Sequence, residues 1–495
     1  MSKREKGGLP LSRAARHAEL FERVADPERM LAVFRRELPA LAGAPIEVTD
    51  CRAKATRSRK AIRAGRVEVV YTVGIAVDGG PRVEHVLFGL APCGPELLDS
   101  RLEAQRDSLR GHAWTAPFRD VALYLADLRL ALLFFPLDPA LPALAEITGS
   151  QGAHLFAASL PECRGGERIE RIDCTLVHYK PSKRAVLRIR AVLQGARGAG
   201  ERIVYAKLFA DERGAATFRN LTALWTAART SLRLPEPLGY DAERRMLVMG
   251  EAPGRRDLVA WVRCLESGEP LPAGVDVERL QRCARVAARS LLELQRSGVR
   301  PDDRREFQEE LERVKKDCAL LLAEVRETQP DLVACATGLL RRLETLAPEC
   351  EELVPAHGCY RHDQMVGDEL ALTPIDWDGF ALANPALDAA AFLARMGREP
   401  RRSPGAAPEL ARVAAAFREA FLEGRPELAR DLDLYEALLM AEQMLRAFRR
   451  PGDAEETARE VRLLAAAAER MLDRVEAAPR AGGAAPAAAS GRPAP

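Results

Sequence analysis

Residues 357–388, HGCYRHDQMVGDELALTPIDWDGFALANPALD, hold the densest set of side chains able to do chemistry in this chain. His357, Cys359, His362, Asp363, Gln364, Asp376, Asp378 and Asp388 all fall within it. Asp376 and Asp378 lie on the same side if the chain there is extended, and carboxylate oxygens suit a hard ion such as Mg²⁺. A cysteine has an unperturbed pKa of about 8.5, so Cys359 would present a weak, mostly neutral donor. A covalent thiol mechanism lacks a recognised base partner beyond His362. Far upstream, Lys207 stands alone in the apolar strand VYAKLF, either as a functional cation or as a snorkelling edge lysine.

The elements that must position these groups can be read from periodicity. Residues 11–41 carry apolar positions at helical spacing, and RVEVVYTVGIAV (66–77) and RVEHVLFGLA (82–91), separated by DGG, predict a hairpin. The remainder to about 150 reads as helical, then a short extended piece around LALLFFPLDPALPAL. A second β-rich block at 169–209 offers three strands joined by a PSK turn and a Gly-rich turn. Residues 211–230 look helical, and RMLVMGEAPG (245–254) is a further strand. From about 255 the pattern is almost wholly helical. Leu280, Ala284, Ala287, Leu291 and Leu294 form one stripe that stops at Gly298; Leu311, Val314, Cys318, Leu321 and Val325 form another. The interval MVGDELALTP fits two short strands around a Gly-Asp turn.

The two β blocks share a pattern. Asp50-Cys51, a basic stretch, a strand and VLFGLA run parallel to Asp173-Cys174, YKPSK, a strand and VYAKLF. Duplication would set Gly89 opposite Lys207 and leave the first copy without a nucleotide site of the same kind; two unrelated small sheets are the alternative.

Composition narrows the class. The 495 residues suffice for two or three domains and sizeable cores. With 74 basic and 72 acidic residues, the net charge of +2 gives no global field for nucleic acid or a membrane surface. The ten cysteines show no CxxC pair or zinc-ligand spacing, which fits reduced thiols in a cytoplasm. The charged N-terminus lacks an apolar signal region, and the apolar run 123–137 is short and interrupted by Asp127 and Arg129, so no bilayer span is expected. The Ala/Pro/Gly-rich tail, 476–495, is expected to be disordered.

A β lobe followed by a helical lobe carrying this polar segment resembles the aminoglycoside phosphotransferase and choline kinase superfamily, over roughly residues 165–475. His357 to Gln364 resembles its catalytic loop, and Ile375-Asp376-Trp377-Asp378 with Asn384-Pro385 and Asp388 resembles its metal loop. The resemblance implies an α+β, bilobal protein-kinase-like fold, a small antiparallel β lobe plus a mostly helical lobe, with an additional N-terminal α+β domain. The expected divisions are 1–150, 165–254, 255–475 and the tail.

It also implies ATP and Mg²⁺ between the lobes. Asp376 would be the principal metal carboxylate, with Asp378 assisting. Gln364 stands where the family usually has a metal-binding Asn, as in maltokinase-like members. Lys207 would contact the phosphates, with an acidic partner from the following helix, Glu212 being the choice over Asp211 and Glu251. Lys183 and Arg184, in the turn without GxGxxG, would cover the phosphates, or form a solvated basic turn. Met249, Gly250 and Glu251 would form the adenine-binding hinge. His357 is expected to organise the loop through a buried hydrogen bond, and Asp388 to brace it.

Cys359 departs from this pattern, because the family keeps a catalytic Asp there. Either Asp363 or another acid replaces that base, or positioning and metal electrostatics suffice, since base help supplies about 10²- to 10⁴-fold. The implied activity is γ-phosphoryl transfer to a hydroxyl of a small molecule of sugar or amino-sugar type. The alternative is a nucleotide-binding pseudokinase whose N-terminal domain engages a partner protein. Glu309, Glu310 and Glu312 could meet a cationic acceptor or form a solvated helical face.

Overall fold

The computed structural model describes residues 19–55, 64–95, 100–149, 152–195, 198–227, 232–326, 329–402, 407–448 and 454–478. Residues 1–18 and 479–495, with the start of the expected first helix and nearly all of the tail, lie outside the described residues. The chain is α+β: a small antiparallel β lobe and a helical lobe, preceded by a further α+β domain.

The N-terminal domain is built on strands β1 (Ile46–Ala55), β2 (Val67–Val77), β3 (Val83–Ala91), β4 (Ala122–Leu125) and β5 (Leu130–Phe134), in the spatial order β1-β2-β3-β5-β4. Alternation along β2 puts Val67, Val69, Tyr71, Val73 and Ile75 in one core. The helix Pro27–Glu37 covers that face with Met30 and Phe34, and Asp26 caps it by accepting from the backbone N–H of Glu28 and Arg29. The Tyr71 hydroxyl donates to the Val24 carbonyl at 2.6 Å. The expected DGG hairpin is present, with Asp78 and Gly79 both at positive φ. β5 falls in the extended piece expected around 130–144, and it pairs with β4, which lies in the stretch read as helical; β4 is only four residues long, too short for alternation to mark it.

The β lobe repeats this arrangement. Its strands are β6 (Arg168–Lys180), β7 (Arg184–Gly195), β8 (Gly198–Phe209), β9 (Pro237–Asp241) and β10 (Met246–Gly250), in the order β6-β7-β8-β10-β9. The helix Arg213–Ala227 follows β8, and five-residue β9 was not anticipated. Leu187, Ile189, Val204, Ala206 and Leu208 turn to one face, where Leu144, Ile147 and Phe156 pack on them. The connecting segment therefore shares a core with the β lobe.

The helical lobe contains the helices Asp257–Ser267, Val277–Gln295, Phe307–Val325, Pro330–Glu344, Ala386–Arg402, Ala407–Gly424, Ala429–Phe448 and Ala454–Ala477. All five residues of the Leu280–Leu294 stripe are buried, and Asp276 caps the helix start. That helix ends at Gln295, with Gly298 at positive φ just beyond. Leu311, Val314 and Cys318 are buried as expected; the side chains of Leu321 and Val325 lie outside the described residues. Five short strands carry the polar segment: β11 (Arg304–Arg305), β12 (Val354–Ala356), β13 (Met365–Gly367), β14 (Leu372–Pro374) and β15 (Ala381–Ala383). β13 and β14 form the expected Gly-Asp hairpin. Among the described residues no helix is long and apolar enough to cross a membrane.

Candidate active site

Strand β12 delivers the first loop into the helical lobe. His357 is fully buried, its ring 4.6 Å from that of Trp377 and its Nε2 3.0 Å from the Ile375 carbonyl oxygen. Burial pushes its pKa down, so the neutral ring donates that hydrogen bond. Asp388, buried at the start of its helix, accepts from the backbone N–H of His357 at 2.5 Å and of Gly358 at 3.0 Å. Gly358 sits at φ 79°, and a Cβ there would lie 2.0 Å from the Gly379 carbonyl oxygen. Only glycine lets the two loops pack backbone to backbone. The Gln364 carbonyl oxygen accepts from Ile375 N–H at 2.9 Å, which brings Gln364 beside the acidic segment. Asp376 itself occupies the left-handed region, φ 68° and ψ 59°, a conformation that non-glycine residues hold chiefly where surrounding structure enforces it.

Between the lobes, four charged side chains meet. Lys207 Nζ lies 2.5 Å from Asp376 Oδ1 and 2.6 Å from Asp378 Oδ1. Arg184 Nη1 donates to Asp378 Oδ2 at 2.6 Å, and both its terminal nitrogens lie 3.5 Å from Asp376 oxygens. Burial disfavours the charged form of Asp376, but Lys207 and Arg184 outweigh it and hold the carboxyl well below the usual range. The Lys207 side chain is 5% exposed, too enclosed for a snorkelling edge lysine.

This cluster corrects the expected partner of Lys207. Glu212 pairs with Arg245 at 2.8 Å, Asp211 with Arg213 at 2.8 Å, and Glu251 with Arg188 at 3.5 Å. The acids that meet Lys207 come from the other lobe, more than 160 residues away in sequence. No local pattern could have announced that pairing.

Cys359 lies within the fields of Arg361, Arg446, Asp376 and Asp363, and burial pushes its thiol pKa up. Asp363 is held by Arg361, 3.1 Å away, and its backbone carbonyl accepts from Arg256 Nη2 at 2.6 Å. His362 is buried, its ring edge-on to Phe392, and burial pushes its pKa down to about 3. It faces the core and offers the thiol no base.

On the β lobe, Lys183 contributes its backbone to the turn, donating to the Lys180 carbonyl and accepting from Ala210 N–H. Arg184 turns inward to the acids. At the hinge, Met249 lies in β10 between Tyr205 and Pro237, and the Gly250 N–H is already bonded to the Glu236 carbonyl at 2.8 Å. Glu310 is paired with Arg305 and Arg313, and Glu312 with Lys315, so neither is free for a cationic ligand.

Sequence reading missed four contributors. Asp138, buried in the connecting segment, accepts from Tyr179 Oη and Ser182 N–H, both at 2.9 Å, and so holds the β6–β7 turn. Glu442 and Arg446 are bonded at 3.1 Å, and their charges reach the loop, Arg446 acting on Cys359 and Glu442 on Arg361; their i,i+4 spacing was the only sequence signal. Arg361 was passed over as part of a motif gap.

The donor set suits a nucleotide-bound magnesium ion. Asp376 and Asp378 share one ammonium and so converge, and the Gln364 backbone is hydrogen-bonded to Ile375 beside them. Among the described residues no group of three or more His, Cys, Asp or Glu forms a metal cage. Mg²⁺ typically uses one or two carboxylates plus substrate phosphates, which is what these two acids provide.

No family model matches the chain, and no curated protein matches it. Among solved structures, it is similar to a choline/ethanolamine kinase family protein from Mesorhizobium loti at 15% identity and TM-score 0.40, over 66% of this chain and 98% of that one. It is also similar to choline kinase from Cryptosporidium parvum at 8% identity and TM-score 0.44, over 65% and 96% of the two chains. For macrolide 2'-phosphotransferase from Brachybacterium faecium the values are 18% and 0.37, over 63% and 96%. In its bilobal α+β fold and in the residues of 357–388 with Lys207, this chain resembles the aminoglycoside phosphotransferase and choline kinase superfamily.

Proposed function

We propose that the protein is an ATP-dependent phosphotransferase that moves the γ-phosphoryl group to a small-molecule acceptor, a sugar or amino-sugar hydroxyl in the form the resemblance implies. The observation that carries this reading is the meeting of Lys207 and Arg184 with Asp376 and Asp378 across the lobes. Phosphoryl transfer needs cations for the phosphates and carboxylates for a metal in one place, because catalysis is mostly positioning and charge neutralisation. Asp376 and Asp378, with the Gln364 amide oxygen, would hold Mg²⁺, which neutralises phosphate charge. Lys207 and Arg184, released from the acids, would turn to the phosphate oxygens. Lys183, beside Arg184 in the same turn, would add to the phosphate contacts, and the backbone around Met249 and Glu251 would meet adenine. Asp388 and His357 fix the loop that carries Cys359. One similar structure, an amicoumacin kinase, was solved with AMP-PNP and Ca²⁺.

The deciding experiment compares nucleotide binding and ATP turnover of the wild type, Asp376→Ala and Cys359→Asp. Magnesium-dependent turnover abolished by Asp376→Ala supports an enzyme; absence of ATP binding sinks the reading. Cys359 favours the second reading, a nucleotide-binding pseudokinase, which predicts wild-type binding with turnover only in Cys359→Asp.

We also propose that the N-terminal domain is a degenerate copy of the β lobe. Both sheets have the order 1-2-3-5-4, with a helix between the third and fourth strands. Aligning the hairpins β4–β5 and β9–β10 sets Leu90 opposite Lys207, one residue from the Gly89 expected from sequence. Neither residue supplies a cation, so this copy would serve as scaffold or as a surface for a partner protein.

A further inference from the structure

Strand β6 shifts its pairing at Val177. As far as Leu176 it runs in step with β7: Ile172, Cys174 and Leu176 stand opposite Ala191, Ile189 and Leu187 and share their apolar face. Beyond Leu176 the register shifts, and His178 rather than Val177 stands opposite Val186. One extra residue in a strand is a β-bulge, which re-aims the side chains that follow and is common beside active sites. Val177 is that residue, and it is 48% exposed. Without the shift, alternation would turn His178 into the apolar core and Tyr179 away from it. With it, Tyr179 keeps the core face opposite Ala185, where it meets Asp138, and His178 joins the opposite face.

That opposite face is the one the candidate site uses. His178, Val186 and Lys207 lie in one row across β6, β7 and β8, and Arg184, two residues along β7, reaches Asp376 and Asp378. At about 4.8 Å per strand, the backbones of His178 and Lys207 are on the order of 10 Å apart, so both side chains can reach one triphosphate. The His178 Nε2 is buried and has no hydrogen-bond partner among the described residues. Burial pushes the ring's pKa down, so at neutral pH it is uncharged and has one N–H to donate. The turn between β6 and β7 has little else to offer a phosphate. Pro181 has no N–H, the Ser182 N–H is bonded to Asp138 at 2.9 Å, and the Lys183 N–H to the Lys180 carbonyl at 3.1 Å. A glycine-rich loop cradles phosphates with free backbone N–H groups; here those groups are spent, and side chains must replace them. We propose that His178 is a further nucleotide ligand, donating its Nε2–H to a non-bridging oxygen of the triphosphate beside Arg184 and Lys207. The bulge at Val177 is the device that aims it. This assignment rests on the phosphotransferase reading above.

The test titrates Mg·AMP-PNP by calorimetry into the full chain, wild type beside His178→Ala and His178→Gln, and reads adenosine affinity by ligand-observed NMR. Loss of a hydrogen bond to a charged oxygen should weaken Mg·AMP-PNP by about tenfold or more in His178→Ala. His178→Gln keeps a side-chain N–H of similar reach and should stay within about threefold of the wild type. Adenosine carries no phosphate, so all three proteins should bind it alike, which also shows that the variants are folded. The inference is overturned if His178→Ala binds Mg·AMP-PNP as the wild type does, if adenosine is weakened by the same factor, or if the Gln variant is as weak as the Ala variant. Failure of the wild type itself to bind Mg·AMP-PNP would instead overturn the phosphotransferase reading.

Discussion

Lys207 holds together two carboxylates that would otherwise face each other in an enclosed site. Removing one partner of a buried ionic cluster costs about 3 to 5 kcal/mol because the remaining charges lose their compensation. Asp376 keeps 24% of its side-chain surface in contact with solvent, so Lys207→Met is expected at the low end, about 3 kcal/mol by urea unfolding at neutral pH. The sign of the pH dependence follows from Asp376. Its folded pKa is lowered from an ordinary 3.8, so the unfolded chain takes up the proton first as pH falls. Its stabilisation is complete above the unfolded value and drains as pH drops through and below about 4. Urea midpoints measured from neutral pH downward should therefore fall more steeply for the wild type than for Asp376→Asn. Equal slopes would show that Asp376 is not paired as described.

At the scale of elements, the two loops of the helical lobe act as one unit. Gly358 has no room for a side chain, and its positive φ adds strain to any replacement. Gly358→Ala should cost at least about 1 to 3 kcal/mol and impair nucleotide binding, because the displaced loop carries Gln364 and meets Asp376. An unchanged melting temperature would contradict the packing. The β6–β7 turn depends in the same way on a residue outside its lobe. Asp138 receives Tyr179 Oη and Ser182 N–H on one carboxylate oxygen and Ala140 N–H on the other, so Asp138→Asn sets an NH₂ donor against one of these sets, and a loss of about 1 to 3 kcal/mol is expected, with weaker ATP binding through Arg184. Calorimetric titration of ATP into that variant checks the coupling.

Across the whole molecule, the connecting segment ties the N-terminal domain to the β lobe. Leu144 and Ile147 are fully buried against Leu187, Ile189 and Ala206. Ile147→Ala should destabilise the protein by about 2 to 5 kcal/mol, through lost burial and the cavity left behind. Circular dichroism and tryptophan fluorescence should report coincident unfolding for this segment and the β lobe. Separate transitions would mean that the shared core is not cooperative.

The sequence by itself determined the site's inventory and the order of its parts. Motif residues from His357 to Asp388 are close in the chain, and side-chain types with short-range periodicity made both loops, the β13–β14 hairpin and the major helices legible. Short strands such as β4 and β9 were not legible, because four or five residues carry too little alternation to mark a strand. Tertiary structure alone decided which charges meet. Lys207 finds Asp376 and Asp378 rather than Glu212, Arg184 joins them, and Asp138 holds a turn in another unit, because each pairing joins residues set by separate elements.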